Sequence, residues 1–388
     1  MIAYNVQPLA QKNLTGIGFY AANTLRELVK DQDDFEMHVF DFLGRNTAHV
    51  NVENNLGVPY SEDKLHIVKN MPLGAYIRLG ETGKMWPYEK LTRSSADMTV
   101  FFNYLVPQGL KGKSIITIYD MVCMRYPETM DDRNRRLLQM HLRPSAQKAD
   151  AIVTISEFSK SEIKELLGIP DERIFVAPCG TDTTYYKPFE SSEEEAMARA
   201  KIKEKYDADK YLLYVGTLEP RKNIKTIVKA FEKASGNIPG VKLVLAGGVG
   251  WHSEETLAAI EESPVKDRIV KTGYITQEEK RDLYRCAVAF VYPSIYEGFG
   301  MPVTEAMACG TRCIVSDTSS LPEVTGDLAV KVGTYDEDGF ARAFEEICSE
   351  DTSEDLKGRL IARAASYSWK EAADIYRQAF SFVTKETV

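Results

Sequence analysis

At about 100–200 residues per domain, a chain of 388 residues suggests two or three domains. Its 48 Lys and Arg against 57 Asp and Glu give a net charge of −9, without the basic excess of a dedicated nucleic-acid binder. A hydrophobic content of 44% supplies substantial cores, yet no run reaches the roughly 18 apolar residues of a membrane span.

In chain order, residues 2–6 read as a strand. Ala21, Leu25, Leu28 and Val29 follow at the spacing of one helix face. Apolar runs at 98–102, 115–119 and 151–155 come next, and residues 46–90 carry no clear period. Residues 190–210 are charged, lack a strand signal and follow Lys187-Pro188, so 189–209 is expected to be a linker. The second half is more regular, with buried strands expected at 211–215, 242–246, 268–271, 288–292 and 312–315. Ile224, Ile227, Val228 and Phe231 make one helix face between them, and Thr276 with Glu279 makes a capping box. At the end, Ser368 with Glu371 caps a helix whose Ala372, Ile375, Tyr376, Ala379 and Val383 share a face. Strand and helix alternating in this way predict parallel, doubly wound α/β sheets.

The residue 1–11 segment, MIAYNVQPLAQ, lacks the charged-then-apolar order of a signal peptide. The cysteines (Cys123, Cys179, Cys286, Cys309, Cys313 and Cys348) form no Cys-x-x-Cys pair and read as reduced thiols of a cytoplasmic protein. The five histidines have no His-x-x-x-His spacing, so no metal site is expected from them. Asp-x-Asp pairs at Asp31/Asp33, Asp207/Asp209 and Asp336/Asp338 lie in polar segments and read as solvated charge. There is no Gly-x-x-x-x-Gly-Lys-Ser/Thr loop, which disfavours an NTPase.

In open α/β sheets, ligands bind outside the carboxyl ends of the strands. The turns expected there in the second half are G-T-L-E-P-R-K-N from Gly216, G-G-V-G from Gly247, T-G-Y from Thr272 and P-S-I-Y-E-G-F-G-M-P from Pro293. Arg221, Lys222 and Glu297 should converge on one crevice with several glycines. Gly298 and Gly300 leave backbone N–H groups uncovered, and Pro302 suits the first turn of the following helix. A glycine-rich turn entering a helix N-terminus is a ready anion site. Glu297 before that turn and Glu305 inside the helix flank it, which suits a phosphorylated sugar. Taken alone, the same residues could serve only a tight turn with solvated glutamates.

The run Y-E-G-F-G-M-P-V-T-E-A-M-A-C-G-T, followed by S-S-L-P-E-V-T-G-D, resembles the retaining GT-B glycosyltransferases of family 4, with Glu297 and Glu305 on their Glu-x7-Glu motif. Y-V-G-T-L-E-P-R-K-N, the early T-G-I-G-F-Y, V-T-I-S-E-F-S-K and P-C-G-T-D-T-T-Y-Y-K-P are also similar to that family. Within it, the chain looks most like the mannosyltransferase group of O-antigen and capsule synthesis.

The resemblance implies a GT-B fold. Two Rossmann-like domains with parallel sheets would face each other across a cleft, and a C-terminal helix would return to the first domain. The expected bounds are 1–188 completed by 368–388, and 210–367. It also implies roles. Arg221 and Lys222 would neutralise a donor diphosphate, Glu305 would hold the ribose and Glu297 the sugar hydroxyls. Gly216, Thr217 and Gly248 would line the donor. Tyr274 and Ile275 would frame the base, while Gly298, Phe299, Gly300, Met301 and Pro302 would contact sugar and phosphate. Gly16 and Gly18 would approach the diphosphate from the first domain. The implied reaction moves a hexose, mannose first, from a nucleoside-diphosphate sugar to a glycan or lipid-linked glycan, without metal or other cofactor. A lipid-linked acceptor would bring the protein to the inner membrane face; no nucleic-acid partner is implied. One departure stands out. The family commonly has His-Asp where this chain has Tyr119-Asp120, with the histidine near the transferred sugar. A sugar-nucleotide-binding partner subunit of weak catalysis is the second reading, and a phosphorylase or epimerase the third.

Overall fold

The computed structural model describes residues 1–30, 32–44, 47–81 and 85–385, so Asp31 of the first Asp-x-Asp pair lies outside the described residues. Among the described residues, thirteen strands form two parallel sheets. The first contains β1 (Ile2–Asn5), β2 (Phe35–Phe40), β3 (Leu65–Val68), β4 (Met98–Phe101), β5 (Lys113–Thr117), β6 (Ala151–Thr154) and β7 (Ile174–Val176), in the order β3-β2-β1-β4-β5-β6-β7. The second contains β8 (Lys210–Val215), β9 (Val241–Ala246), β10 (Ile269–Gly273), β11 (Ala289–Tyr292), β12 (Cys313–Ser316) and β13 (Ala329–Val332), in the order β10-β9-β8-β11-β12-β13. Each order runs outward, returns and continues on the other side, which is the doubly wound pattern. Helices cover the strands, so Tyr211, Leu213, Val244, Phe290 and Ile314 are all buried.

The chain divides into two compact units. One holds Met1–Arg125, Asp132–Gly180 and Ser368–Val388; the other holds Tyr126–Asp131 and Thr181–Tyr367. The C-terminal helix Trp369–Thr384 therefore belongs with the first unit. Its Ser368 accepts from Glu371 N at 3.1 Å, and its buried face packs on the helix Gly16–Val29 and on β6 and β7. Tyr376 reaches Thr117 Oγ1 at 2.6 Å, and Arg377 donates to the Glu27 carbonyl at 2.8 Å.

Residues 189–209 are a correction to the expected linker. They carry the helix Ser192–Tyr206, which belongs to the second unit. Ser191 caps it, glutamates fill its first turn and lysines its last, in the sense that the helix dipole favours. Buried Ala198 and Ile202 dock it, and Arg285 Nη1 holds Glu194 at 2.6 Å. Charge at both ends hid a short apolar face. The division also falls earlier than residue 188. Thr181 N bonds the Tyr367 carbonyl at 2.9 Å, and Tyr186 packs edge-on against Tyr284, which fastens 181–188 to the second unit.

Candidate active site

The turn after β8 starts at Gly216, whose φ of +153° few side chains tolerate, and a Cβ there would lie 2.6 Å from the Tyr214 hydroxyl. The chain then runs extended through Glu219, makes a single turn at Pro220–Lys222 and enters the helix Ile224–Ala234 through Asn223. Asn223 donates to the carbonyls of Pro293 (3.1 Å) and Thr334 (2.7 Å), and Ile295 N donates to the Arg221 carbonyl at 2.8 Å. These bonds fasten the turn after β8 to the turn after β11.

On that frame the expected charges meet. Arg221 Nη1 donates to Glu297 Oε2 at 3.0 Å and to the Tyr296 carbonyl at 2.8 Å; its Nη2 donates to Glu219 Oε1 at 2.8 Å. Lys222 Nζ donates to Glu297 Oε1 at 2.6 Å and to the Tyr292 hydroxyl at 2.9 Å. Lys222 and Glu297 are only 8% and 7% exposed, so each ion depends on its partners rather than on water. Burial pushes the Glu297 carboxyl up, but the charges of Arg221 and Lys222 outweigh it and hold it at about 2. Burial, reinforced by Arg221, lowers the Lys222 ammonium from its ordinary range, while Glu297 and Glu219 resist the shift.

The glycine-rich turn is clamped from the serines that follow β12. Ser319 Oγ accepts from Glu297 N at 3.0 Å, and Ser320 Oγ lies 3.0 and 2.9 Å from the carbonyl oxygens of Glu297 and Phe299. Gly300 is left-handed at φ +106°, and a Cβ there would meet Leu321 Cδ2 at 2.9 Å. The helix Met301–Ala308 follows, with Pro302 in its first turn. Its first N–H groups have no acceptor within the helix. Val303 N turns back to the Gly300 carbonyl at 2.9 Å.

Glu305 stands apart from the Arg221–Lys222–Glu297 cluster. It is buried and accepts from Lys280 Nζ at 2.9 Å and the Tyr284 hydroxyl at 3.0 Å, both on the helix Gln277–Cys286. Thr276 and Glu279 open that helix with reciprocal bonds of 3.0 and 3.1 Å. The remaining turns lie side by side. Gly216 N donates to the Ala246 carbonyl at 2.9 Å, and Gly247 N to the Gly273 carbonyl at 3.1 Å. A Cβ on Gly248 would lie 2.5 Å from Tyr274 Cζ, so the ring rests on bare backbone with its other surface in solvent. Thr217 is exposed, and its carbonyl accepts from the Tyr214 hydroxyl; Ile275 is half-buried.

In the first unit, Gly16 begins the helix Gly16–Val29, and Gly18 lets it pack tightly: a Cβ there would meet Leu14 Cδ2 at 2.8 Å and the Pro8 carbonyl at 2.9 Å. Tyr119 is buried. It donates to the Phe102 carbonyl at 3.2 Å and packs edge-on against Tyr20 and Tyr104. Burial pushes its phenol well above the ordinary range.

Sequence reasoning assigned no role to Glu219, Tyr292, Ser319 or Ser320. Glu219 could have been found, because it immediately precedes the Pro220–Lys222 turn that carries both cations. Tyr292 ends an apolar strand and gives no such signal.

Residues 14–185 match the Glycosyltransferase Family 4 model, and residues 192–366 match the model Glycosyl transferases group 1. The chain belongs to this glycosyltransferase family. Among curated relatives it is 29% identical over 369 residues to O-antigen chain mannosyltransferase B of Escherichia coli, covering 92% of this chain and 93% of that protein. Among solved structures it is similar to sucrose-phosphate synthase from Thermosynechococcus elongatus, with a TM-score of 0.73 at 20% identity over 98% of this chain and 99% of that one. It is also similar to HepE of Anabaena in complex with UDP-glucose, with a TM-score of 0.69 at 15% identity over 99% of both chains. The fold of this glycosyltransferase is thus GT-B, as its strand orders indicate.

Proposed function

We propose that this glycosyltransferase moves a hexose, mannose first, from a nucleoside diphosphate to a hydroxyl of a surface glycan, with retention of anomeric configuration. The observation that carries the reading is the joining of Arg221 and Lys222 to Glu297, immediately before the glycine turn and the helix Met301–Ala308. The name of the E. coli relative supports mannose and an O-antigen-type acceptor.

The difficult event is departure of a diphosphate from the anomeric carbon. Two carboxylates face the two cations, Glu219 on Arg221 and Glu297 on both. A diphosphate supplies new negative charge, and the cations turn part of their hydrogen bonding to it. Glu297 is then released toward the sugar hydroxyls. The cations are fixed before the reaction begins, so charge that develops on the leaving group is stabilised without reorganisation. The N–H groups at Gly298 to Met301 add the positive end of a helix. Glu305, fixed by Lys280 and Tyr284, accepts from the ribose, and Tyr274 lies beside the base. The acceptor attacks on the face the diphosphate leaves, and a phosphate oxygen takes its proton. No divalent metal is required, because Arg221 and Lys222 carry the compensating charge. Among the described residues no helix is long and apolar enough to cross a membrane.

The test incubates the protein with GDP-mannose, UDP-glucose and dTDP-rhamnose in the presence of chelator, and measures released nucleoside diphosphate. One donor should be hydrolysed slowly and transferred faster on adding acceptor, with Lys222→Ala slowing both on the order of a hundredfold or more. NMR of the product should show the donor's anomeric configuration. Tight donor binding without nucleotide release, under any acceptor, would overturn the reading.

A further inference from the structure

The histidines have no metal-binding spacing along the chain, but the topology brings two of them together. β2 and β3 are parallel neighbours, β3 is the edge of the first sheet, and His38 stands opposite His66 in register. Glu36 lies two residues before His38, so both side chains leave β2 on one face. The two imidazole rings stack with centroids 5.6 Å apart and planes 22° from parallel. His38 Nε2 lies 3.0 Å from Glu36 Oε1, and His66 Nδ1 lies 3.9 Å from Glu36 Oε2. One donor atom from each residue falls within 4.8 Å of the other two.

Two further observations point to a ligand. His66 Nδ1 is shielded from solvent yet has no hydrogen-bond partner among the described residues, although the Glu36 carboxylate is beside it. The far nitrogen of His38 faces the Tyr88 hydroxyl at 3.3 Å, which is itself held by Asn5 Nδ2 at 3.0 Å. A partner on the second ring nitrogen is what orients a metal-binding imidazole. Ser94 Oγ bonds the Glu36 carboxylate and fixes it in the same way.

We infer that Glu36, His38 and His66 form a binding site for a divalent transition-metal ion of the zinc type, separate from the transfer chemistry. Two imidazoles and a carboxylate suit Zn²⁺, with water as the fourth ligand. Donors about 2.1 Å from a tetrahedral ion lie about 3.4 Å apart; each histidine already lies 3.0–3.9 Å from one of the two Glu36 oxygens, and one donor atom from each residue lies within 4.8 Å of the other two. His66 is half-buried on the edge strand, which gives the ion an approach from solvent. Bound there, the ion would tie β3 to β2.

The experiment uses the full chain, stripped with EDTA and dialysed, then titrated with Co²⁺ as a visible probe and with Zn²⁺ in competition. The expected result is one Co²⁺ per chain with visible absorption bands, its displacement by one Zn²⁺, and a rise in Tm with Zn²⁺. His66→Gln should weaken binding at least about tenfold, while His252→Gln, on an exposed histidine, should leave it unchanged. Absence of stoichiometric Co²⁺ binding, or a wild-type Tm that ignores excess Zn²⁺, overturns the proposal whether or not His66→Gln folds. Binding that survives His66→Gln at full strength overturns it too, and leaves the cluster as a buried hydrogen-bonded group.

Discussion

Glu297 and Glu305 flank one glycine turn, and both are buried, yet they keep different company. Glu297 holds two cations, one of which it shares with Glu219, and a phenol stands behind Lys222. Glu305 holds one cation and accepts directly from a phenol. The first glutamate keeps a charged group assembled beside the glycine turn. The second ties the helix that follows the turn to the helix Gln277–Cys286. Position in a motif therefore does not fix a carboxylate's work; the number of cations that face it does.

The largest effect should come from removing the charge of Glu297. Glu297→Gln strands the buried Lys222 ammonium, and breaking a buried pair by losing one partner costs about 3–5 kcal/mol. Urea unfolding should show that loss, and a variant as stable as the parent would erase the distinction between the two glutamates. A pH series sharpens it. The Glu297 carboxyl sits at about 2 when folded, against an ordinary 4.5. Its stabilisation is therefore fully present above about pH 4.5 and is lost as pH falls toward 2, about 3 kcal/mol in all. Glu297→Gln should lack that component of acid sensitivity.

Next in size is Lys222→Ala, read in turnover. If the cation acts on charge that appears as the diphosphate leaves, kcat should fall by about 3 kcal/mol, on the order of a hundredfold or more, with donor affinity changing less. Equal losses in affinity and rate would make Lys222 a binding group only. Glu305→Gln should be milder. It removes charge-assisted bonds to Lys280 and Tyr284 and should cost about 2 kcal/mol of stability. Donor KM should rise while kcat stays near the parent value. A kcat loss as large as that of Lys222→Ala would place both glutamates in one role.

How much of this could be read beforehand differs between the units. Strands β8, β9, β11 and β12 are largely apolar runs, and the turns after β8 and β11 carry the cations, the glutamate and the glycines, so both the sheet and the cluster are visible in the letters. β2 is not, because it buries Glu36 and His38 in its middle and so breaks the apolar run that announces a covered strand. β3 is short and only half-covered at the sheet edge, and it escapes for the opposite reason. The Ser192–Tyr206 helix was hidden by charge at both ends. Within the site, Arg221, Lys222 and Glu297 were legible as types near turns. The stacking order of strands, which sets Glu305 against Lys280 rather than against Lys222, was not.

The smallest effect is the control for the comparison, and it lies in the first unit. Each glutamate cluster in the second unit includes a phenol, Tyr292 behind Glu297 and Tyr284 on Glu305. Tyr119 is also a buried phenol, and its hydroxyl donates to a neutral group, the Phe102 carbonyl, at 3.2 Å. Its ring is held by Tyr20 and Tyr104. Tyr119→Phe keeps that packing and removes one neutral hydrogen bond, a loss of about 1 kcal/mol. Thermal unfolding should detect the change, while kcat and donor KM stay within about twofold of the parent, since no charge is rearranged. A tenfold fall in kcat at unchanged stability would show that the hydroxyl turns toward substrate during the reaction. Tyr119 would then replace the family's histidine in function as well as in position, and the chemistry could no longer be ascribed to the charged clusters of the second unit alone.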